Sequence, residues 1–131
     1  MIINDPILLG ILLLIEEKGA SGIPITVNVH GFMVTGILCT REEYMLEAQA
    51  HAAGMSFNLG DCVKALHEWV QSCEVVDKAK GEQAEHRLDF IHLKNAQFLS
   101  TAFYFPAERN LPWRAKTSAI DGWSLGLIDV Q

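Results

Sequence analysis

Residues 25–38, ITVNVHGFMVTGIL, decide the fold, because they alternate like a strand and yet contain two glycines. Apolar and polar residues alternate strictly over residues 25–30, which is typical of a half-buried strand. Gly31 then interrupts the alternation and residues 32–39 resume it. The pattern predicts two antiparallel strands joined by a tight turn near His30 and Gly31.

Glycine weakens the interior of a strand, so Gly31 and Gly36 need an explanation. One interpretation is that both glycines mark sharp bends in the strands of a small barrel. The alternative is that Gly31 is only a turn residue and Gly36 only a small residue beneath a bulky neighbour. The first interpretation is favoured here.

An apolar segment, PILLGILLLI (residues 6–15), precedes this hairpin and predicts a buried helix. Asp5 is a good N-cap, and Pro6 suits the first helical position. Ten apolar residues are too few to span a bilayer, which needs about 20, and no basic residues introduce a signal peptide. The helix is apolar nearly all round, so we expect a neighbouring subunit to cover part of it.

Two helices are predicted after the hairpin. Thr40 and Glu43 form a capping box, and the helix that follows ends at Gly54. A second helix begins near Asn58, with an apolar set at helical spacing: Leu59, Val63, Leu66, Trp69, Val70 and Cys73. Residues 77–87 are polar and predict a solvated linker.

Strand character returns at residues 88–100, 113–120 and 123–130, with a loop predicted over residues 101–112. The predicted fold class is mostly β with helices (α+β). It consists of an N-terminal helix and a five-stranded, bent antiparallel barrel with a helical insertion between strands 2 and 3. We expect one domain over residues 1–131, with the insertion at residues 41–87.

Composition argues for a globular chain that does not bind nucleic acid nonspecifically. The net charge is −6, from 16 acidic and 10 basic residues, whereas affinity for polyphosphates depends on Lys and Arg. The three cysteines form no CxxC motif, so reduced thiols and a cytoplasmic location are expected. Nucleic acid is therefore not expected as a partner.

No catalytic motif occurs in the sequence, and we expect no enzymatic activity, cofactor or metal. The one candidate constellation is His30 with His92, since both lie on predicted strands and antiparallel pairing can bring such residues together. Two histidines lack the third protein ligand that a catalytic zinc site has. The interpretation as polar residues beside loops is therefore favoured.

Residues 113–116, WRAK, offer a contact surface. In a strand, Arg114 and Lys116 share one face and Trp113 lies on the other. With Lys94 and an aromatic residue, the two bases are a candidate site for single-stranded nucleic acid. The alternative, which is favoured, is an edge strand whose cations contact acidic groups of a neighbouring chain and set its register.

The glycine pattern resembles the first motif of the Sm-like (LSm) barrel. The matching residues are Val27, Val29, Gly31, Gly36, Leu38, Glu42 and Met45. Its second motif resembles Ile120, Gly122, Leu125 and Ile128. The resemblance implies a barrel, with Gly31, Gly36, Ile120 and Gly122 as fold-motif residues. It also implies a homo-oligomer with a tendency to form rings.

The family's RNA site does not carry over to this chain. It uses a polar residue after the methionine and a basic residue before the second-motif glycine, where this chain has Leu46 and Asp121. A carboxylate at Asp121 would repel a phosphate. A Sm-like module that binds RNA or single-stranded nucleic acid is therefore kept only as the alternative function.

A narrower resemblance is to the gas vesicle accessory protein GvpU family. HLKNAQF (residues 92–98) and WRAKTSAIDGWSLG (residues 113–126) carry it, and it covers roughly residues 24–40 and 90–128. It implies a non-catalytic, cytoplasmic accessory role in gas vesicle assembly or clustering. The implied partners are further copies of the chain and gas vesicle proteins. The residues themselves, and not this resemblance, suggest the candidate partner contacts, which are Trp113, Arg114, Lys116 and Asp121.

Overall fold

Three helices and five strands make up the described part of the chain, which in this computed structural model is residues 5–19, 22–80, 88–99 and 111–127. The elements are α1 (Pro6–Lys18), β1 (Ile23–Val29), β2 (Phe32–Leu38), α2 (Arg41–Met55), α3 (Phe57–Lys80), β3 (Phe90–Leu99), β4 (Leu111–Lys116) and β5 (Gly122–Leu125). A 3-10 turn, Thr117–Ala119, separates β4 from β5.

The strands form one antiparallel sheet in the order β4-β3-β2-β1-β5. This confirms the predicted α+β class, the N-terminal helix, the five antiparallel strands and the helical insertion between the second and third strands. The sheet is not closed, because β4 pairs with β3 and β5 pairs with β1, at opposite edges. The predicted closure into a barrel is thus not found among the described residues.

The hairpin turn explains the first glycine. His30 and Gly31 both have positive φ, 53° and 88°, and they connect β1 to β2 as a two-residue turn. Positive φ at both central residues is the type I′ geometry that fits the twist of a hairpin. The Asn28 side-chain oxygen also accepts a hydrogen bond from Gly31 N at 3.0 Å. Gly31 therefore lies in the predicted tight turn.

The second glycine lies inside the sheet, where two strands approach closely. A Cβ built on Gly36 would be 3.2 Å from Ala96 Cα and 3.3 Å from Leu93 Cβ. The pairing of β2 with β3 also shifts register between Thr35 and Ile37, on either side of Gly36. Gly36 is thus a small residue beneath a bulky neighbour, which was the alternative interpretation, and it lies at a register shift between β2 and β3.

The N-terminal helix begins at the predicted cap and continues beyond the apolar segment to Lys18. The Asp5 carboxylate accepts hydrogen bonds from Ile7 N at 2.9 Å and Leu8 N at 3.3 Å, and Pro6 follows it in the first turn. Gly19 ends the helix with a φ of 65°, and its N–H donates to Ile15 O. Both caps satisfy backbone groups that a helix leaves without partners.

One face of the sheet packs on α1 and forms the core. Leu8, Leu12 and Ile15 recur at helical spacing and are almost fully buried. They meet side chains from three strands: Ile25, Val27, Val34, Leu38, Ile91, Leu93 and Ala96. The outer side of α1 keeps Ile7 and Leu14 exposed, at 66% and 50%, as its all-round apolar character predicted.

Several element ends differ from the predictions. The strand predicted over residues 113–120 ends at Lys116, where a 3-10 turn begins. The helix α3 continues to Lys80, past the residue where a polar linker was predicted, and residues 81–87 lie outside the described residues. The strand β4 begins at Leu111, so Pro112 belongs to a strand and not to the predicted loop. Proline is tolerated there because β4 is an edge strand. Most of that loop, residues 101–110, is likewise outside the description.

Candidate functional site

The face of the sheet opposite α1 carries polar and aromatic side chains and is partly covered by α2. Ile91 and Leu93 point into the core. Phe90, His92 and Lys94 alternate with them along β3 and therefore lie on this second face. Tyr44 of α2 lies over it, with its ring centroid 5.2 Å from that of His92. Three of the candidate residues from the sequence, His92, Lys94 and Arg114, belong to this face.

His92 is buried and uncharged. Only 3% of its surface is exposed, and within the described residues its Nε2 has no hydrogen-bond partner. Burial, reinforced by Arg114 and Arg41, lowers the pKa of His92 to about 3. The imidazole is therefore neutral at physiological pH.

The thiol of Cys39, the residue that bonds to the His92 backbone, is protonated. Cys39 N donates to His92 O at 3.1 Å, and the Cys39 side chain is buried. Burial raises the pKa of the Cys39 thiol to about 12, with a further contribution from Glu43. A thiol that stays protonated is a poor nucleophile, so these two neighbours do not form a cysteine–histidine catalytic pair.

Two cations of this face, Arg114 and Lys94, have partners within the protein. The guanidinium carbon of Arg114 lies 3.9 Å from the ring centroid of Phe90 and 6.0 Å from that of Tyr44, as in a cation–π contact. Lys94 Nζ donates to Glu43 Oε2 at 3.1 Å, and this bond raises the pKa of Lys94. Two of the three cations considered for nucleic-acid binding therefore already have partners.

Trp113 lies on the other face of β4. Its ring meets Phe98 edge-to-face, with centroids 6.2 Å apart, and it packs against the core. Arg114 and Lys116 are exposed. The structure thus brings Arg114 together with Phe90 and Tyr44, and it does not place Trp113 beside the two cations. The sequence did not predict the contact of Arg114 with Phe90, because it depends on the register between β3 and β4.

Asp121 holds the hairpin turn. Its Oδ2 accepts a hydrogen bond from His30 N at 2.7 Å, and its N–H donates to Asn28 O at 2.8 Å. Gly122 pairs with Asn28 at the start of β5, and Ile120 packs against the core. The carboxylate at this position therefore has a structural use, since it satisfies a backbone donor of the turn.

The two candidate histidines are not brought together. His30 lies exposed in the turn that precedes β2, with its Nδ1 3.7 Å from Asp121 Oδ2. The backbone oxygen of His92 accepts from Cys39 N, and Cys39 follows Leu38 at the opposite end of β2. The strand between them has seven residues, about 20 Å, so the sequence-based suggestion of a His30–His92 pair is wrong. The described residues contain no group of three or more His, Cys, Asp or Glu that could hold a metal.

A further contact joins α1 to the last strand. Trp123 Nε1 donates to Asp5 Oδ2 at 2.8 Å, and this bond lowers the pKa of Asp5. The sequence identified Asp5 only as a helix cap. No local pattern indicates the pairing, because the two residues are 118 positions apart.

The second helix of the insertion presents large apolar side chains to solvent. Leu59, Leu66 and Trp69 of α3 are 41%, 50% and 64% exposed. They belong to the apolar set predicted from helical spacing, and a set of this kind normally faces the core of its own domain. Here these three side chains face outward instead.

Replacing Asp121 by alanine is expected to lower the free energy of unfolding by about 1 kcal/mol, since His30 N then loses its acceptor. Asp121→Asn is the matched control, because the amide oxygen can still accept from His30 N. Urea denaturation of the three proteins measures the effect. Equal losses for both variants would contradict the assignment and point to charge alone.

These observations define an α+β protein with an open five-stranded antiparallel sheet, one helix beneath it and an outer helical hairpin whose second helix is apolar on its outside. The chain belongs to the GvpU-like family of gas vesicle proteins: the family model described as "Gas vesicle protein GvpU-like" matches residues 5–128. No curated protein and no solved structure matches it. Within the described ranges, none of the helices has the length and hydrophobicity needed to cross a membrane.

Proposed function

We propose that this protein is a non-catalytic accessory factor in gas vesicle assembly or clustering and that it acts through protein contacts. The observation that carries the proposal is the match to the GvpU-like family, which extends over residues 5–128 and so includes every described element. The exposed apolar side chains of α3 support a role in protein contacts, because large exposed apolar groups mark interaction sites when they cluster. Residence in the cytoplasm and self-association are parts of the same proposal.

The edge strand β4 is the proposed contact for gas vesicle components. Its outer edge has no neighbouring strand in the described sheet, and Arg114 and Lys116 are exposed along it. Cations on an edge strand discourage indiscriminate pairing with other strands. They also favour a partner that presents carboxylates, which would fix the register of the contact.

The relation of the sheet to the Sm-like barrel is also part of the proposal. An N-terminal helix packed on five antiparallel strands supports this relation. The edges at β4 and β5 are open, however, so the described strands resemble the barrel in their number and direction and not in its closure. Ring formation would then require contacts between copies, and self-association is the property to measure first.

Flotation tests the gas vesicle role directly, because gas-filled particles rise in a centrifugal field. Purified protein is mixed with purified gas vesicles and centrifuged, and the protein in the floating layer is quantified. We expect the protein to float with the vesicles. Its complete retention in the liquid below would contradict the proposal.

A charge-matched pair of variants tests β4 in the same assay. Arg114→Gln with Lys116→Gln should reduce the floating fraction and weaken its dependence on salt. Lys18→Gln with Lys64→Gln removes two cations elsewhere, at the end of α1 and on α3, and should leave the floating fraction unchanged. Equal binding by both double variants would exclude β4 as the contact.

A further inference from the structure

The helix α3 has its apolar side turned away from its own domain. Five residues on this side follow one another at spacings of three and four: Leu59, Cys62, Leu66, Trp69 and Cys73. Together they form the α3 seam. Leu66 and Trp69 are at least half exposed, Cys62 is exposed and Cys73 is partly buried.

The side of α3 that faces α2 is small or polar. Gly60 lies against Ala53, where an added Cβ would come within 2.9 Å of the Ala53 Cβ. Two turns further along α3, His67 Nε2 lies 2.7 Å from Oε1 of Glu42 on α2. The same oxygen accepts a hydrogen bond from Gln71 Nε2 at 3.1 Å. An ordinary amphipathic helix buries its apolar stripe and exposes its polar one. The reversed arrangement of α3 indicates that its apolar side meets another molecule.

We propose that two copies of this chain associate by pairing their α3 seams in an antiparallel two-helix contact. The inference rests on the self-association that is part of the proposed function, and it assigns the surface responsible. The spacing of three and four residues is the heptad pattern by which two helices interlock side chains along a shared seam. The seam spans residues 59–73, about 21 Å along the helix.

The flanks of the seam favour a second copy as the partner. In a heptad contact the positions beside the seam choose the partner through their charges. Here those positions are uncharged: Val63, Ala65, Val70 and Ser72. Two copies therefore meet without like charges beside the seam, and no charge selects a different partner. By helical spacing, the carboxylates Asp61 and Glu68 lie well away from the seam.

Side-chain size favours the antiparallel direction. A parallel pair places each seam residue beside its own copy, so both Trp69 indoles would share one layer and both Cys62 thiols another. An antiparallel pair with its two-fold axis beside residues 67 and 68 instead places each of these residues beside a different residue of the second copy. Leu66 then meets Trp69 of the second copy, and Cys62 meets Cys73. The opposed helix dipoles also favour this direction.

The surface available is sufficient for a small specific interface. The seam side chains with flanking Val63 and Val70, counted for both copies, represent on the order of 1,000 Å² of surface. That is roughly the smallest total area that specific interfaces bury. Trp69 contributes most, as an exposed aromatic residue often does in an interface.

The oligomeric state of purified protein, without gas vesicles, tests the seam. Light scattering and sedimentation at tens of micromolar should show a dimer for the wild type. Leu66→Lys should weaken association roughly tenfold or more, because it places an ammonium in the seam. Leu46→Lys is the matched control, since Leu46 lies on α2 and is 53% exposed, close to the 50% of Leu66. Circular dichroism confirms that both variants fold.

A monomeric wild type, or a Leu66→Lys variant that associates as well as the wild type, would overturn the proposal. Flotation separates this failure from failure of the gas vesicle role. A monomer that floats with gas vesicles would refute the seam and leave that role intact. A dimer sensitive to Leu66→Lys that does not float would support the seam and refute the role.

Cysteine cross-linking tests the direction of pairing, because Cys62 and Cys73 belong to the seam while Cys39 is buried. Mild oxidation should join Cys62 to Cys73 of the second copy. Each single variant, Cys62→Ser or Cys73→Ser, should lose the cross-link, since like residues lie about 16 Å apart in the antiparallel pair. Efficient cross-linking of either single variant would overturn the antiparallel arrangement.

Discussion

Replacing Gly36 by valine should lower the free energy of unfolding by about 2–3 kcal/mol, and replacing it by alanine by about 1 kcal/mol. The first added carbon would lie 3.2 Å from Ala96 Cα and 3.3 Å from two carbons of Leu93. Ala96 offers backbone and Leu93 is fully buried, so neither neighbour can move aside easily. Valine adds two methyl groups to the same space.

Gly10→Ala provides the control for this series. Gly10 lies inside α1, and a Cβ added there has nothing within 4 Å. Alanine favours a helix over glycine, so this variant should be more stable than the wild type by up to about 1 kcal/mol. Urea denaturation should therefore show that replacing glycine by alanine lowers the free energy of unfolding at residue 36 and raises it at residue 10. A Gly36→Val variant as stable as the wild type would show that the strands separate there without strain.

The second large effect is a loss of stability on acidification that depends on His92. The folded protein holds the pKa of His92 at about 3, whereas an unfolded histidine titrates near 6.5. Below about pH 6.5 the unfolded chain therefore binds a proton that the folded chain does not. The contribution is fully present above pH 6.5 and falls by about 1.4 kcal/mol for each pH unit down to about pH 3.

His92→Gln should remove this part of the pH dependence. Between pH 7.5 and pH 5, the wild type should lose about 2 kcal/mol more than the variant. The slopes of stability against pH are compared, and not the stabilities themselves, because glutamine also changes the packing against Tyr44. Denaturant unfolding at four or five pH values measures both slopes. Parallel curves would mean that water or a rearrangement lets His92 accept the proton when folded.

Local chemistry is what the sequence predicted well. Asp5 and Pro6 begin α1, and Thr40 begins α2 by accepting from Glu43 N, as predicted from residue type and spacing alone. The His30–Gly31 turn follows from a similarly local rule. These features depend on residues at most four positions apart, so a short stretch contains all the information needed.

Features that depend on distant pairing were not predicted. The open edges of the sheet follow from β5 meeting β1 and β4 meeting β3, which no local pattern specifies. Glu43 was identified only as a capping-box residue, and the contact of its carboxylate with Lys94 of β3 depends on how α2 lies over the sheet. Likewise, the spacing of the seam identified an apolar face of α3 but not the direction that it faces, since that depends on how α3 docks on α2.

The pairing of β5 with β1 has a consequence for the order of events as the chain leaves the ribosome. Thr26 donates its hydroxyl to Gly126 O, 100 residues later, and Ile25 pairs with Leu125. At ordinary translation rates that interval lasts on the order of 5 to 20 seconds. During this time one edge of β1 has no partner, and an unpaired edge can pair with the strands of other nascent chains. The last of the described strands to be synthesised therefore protects the first of them.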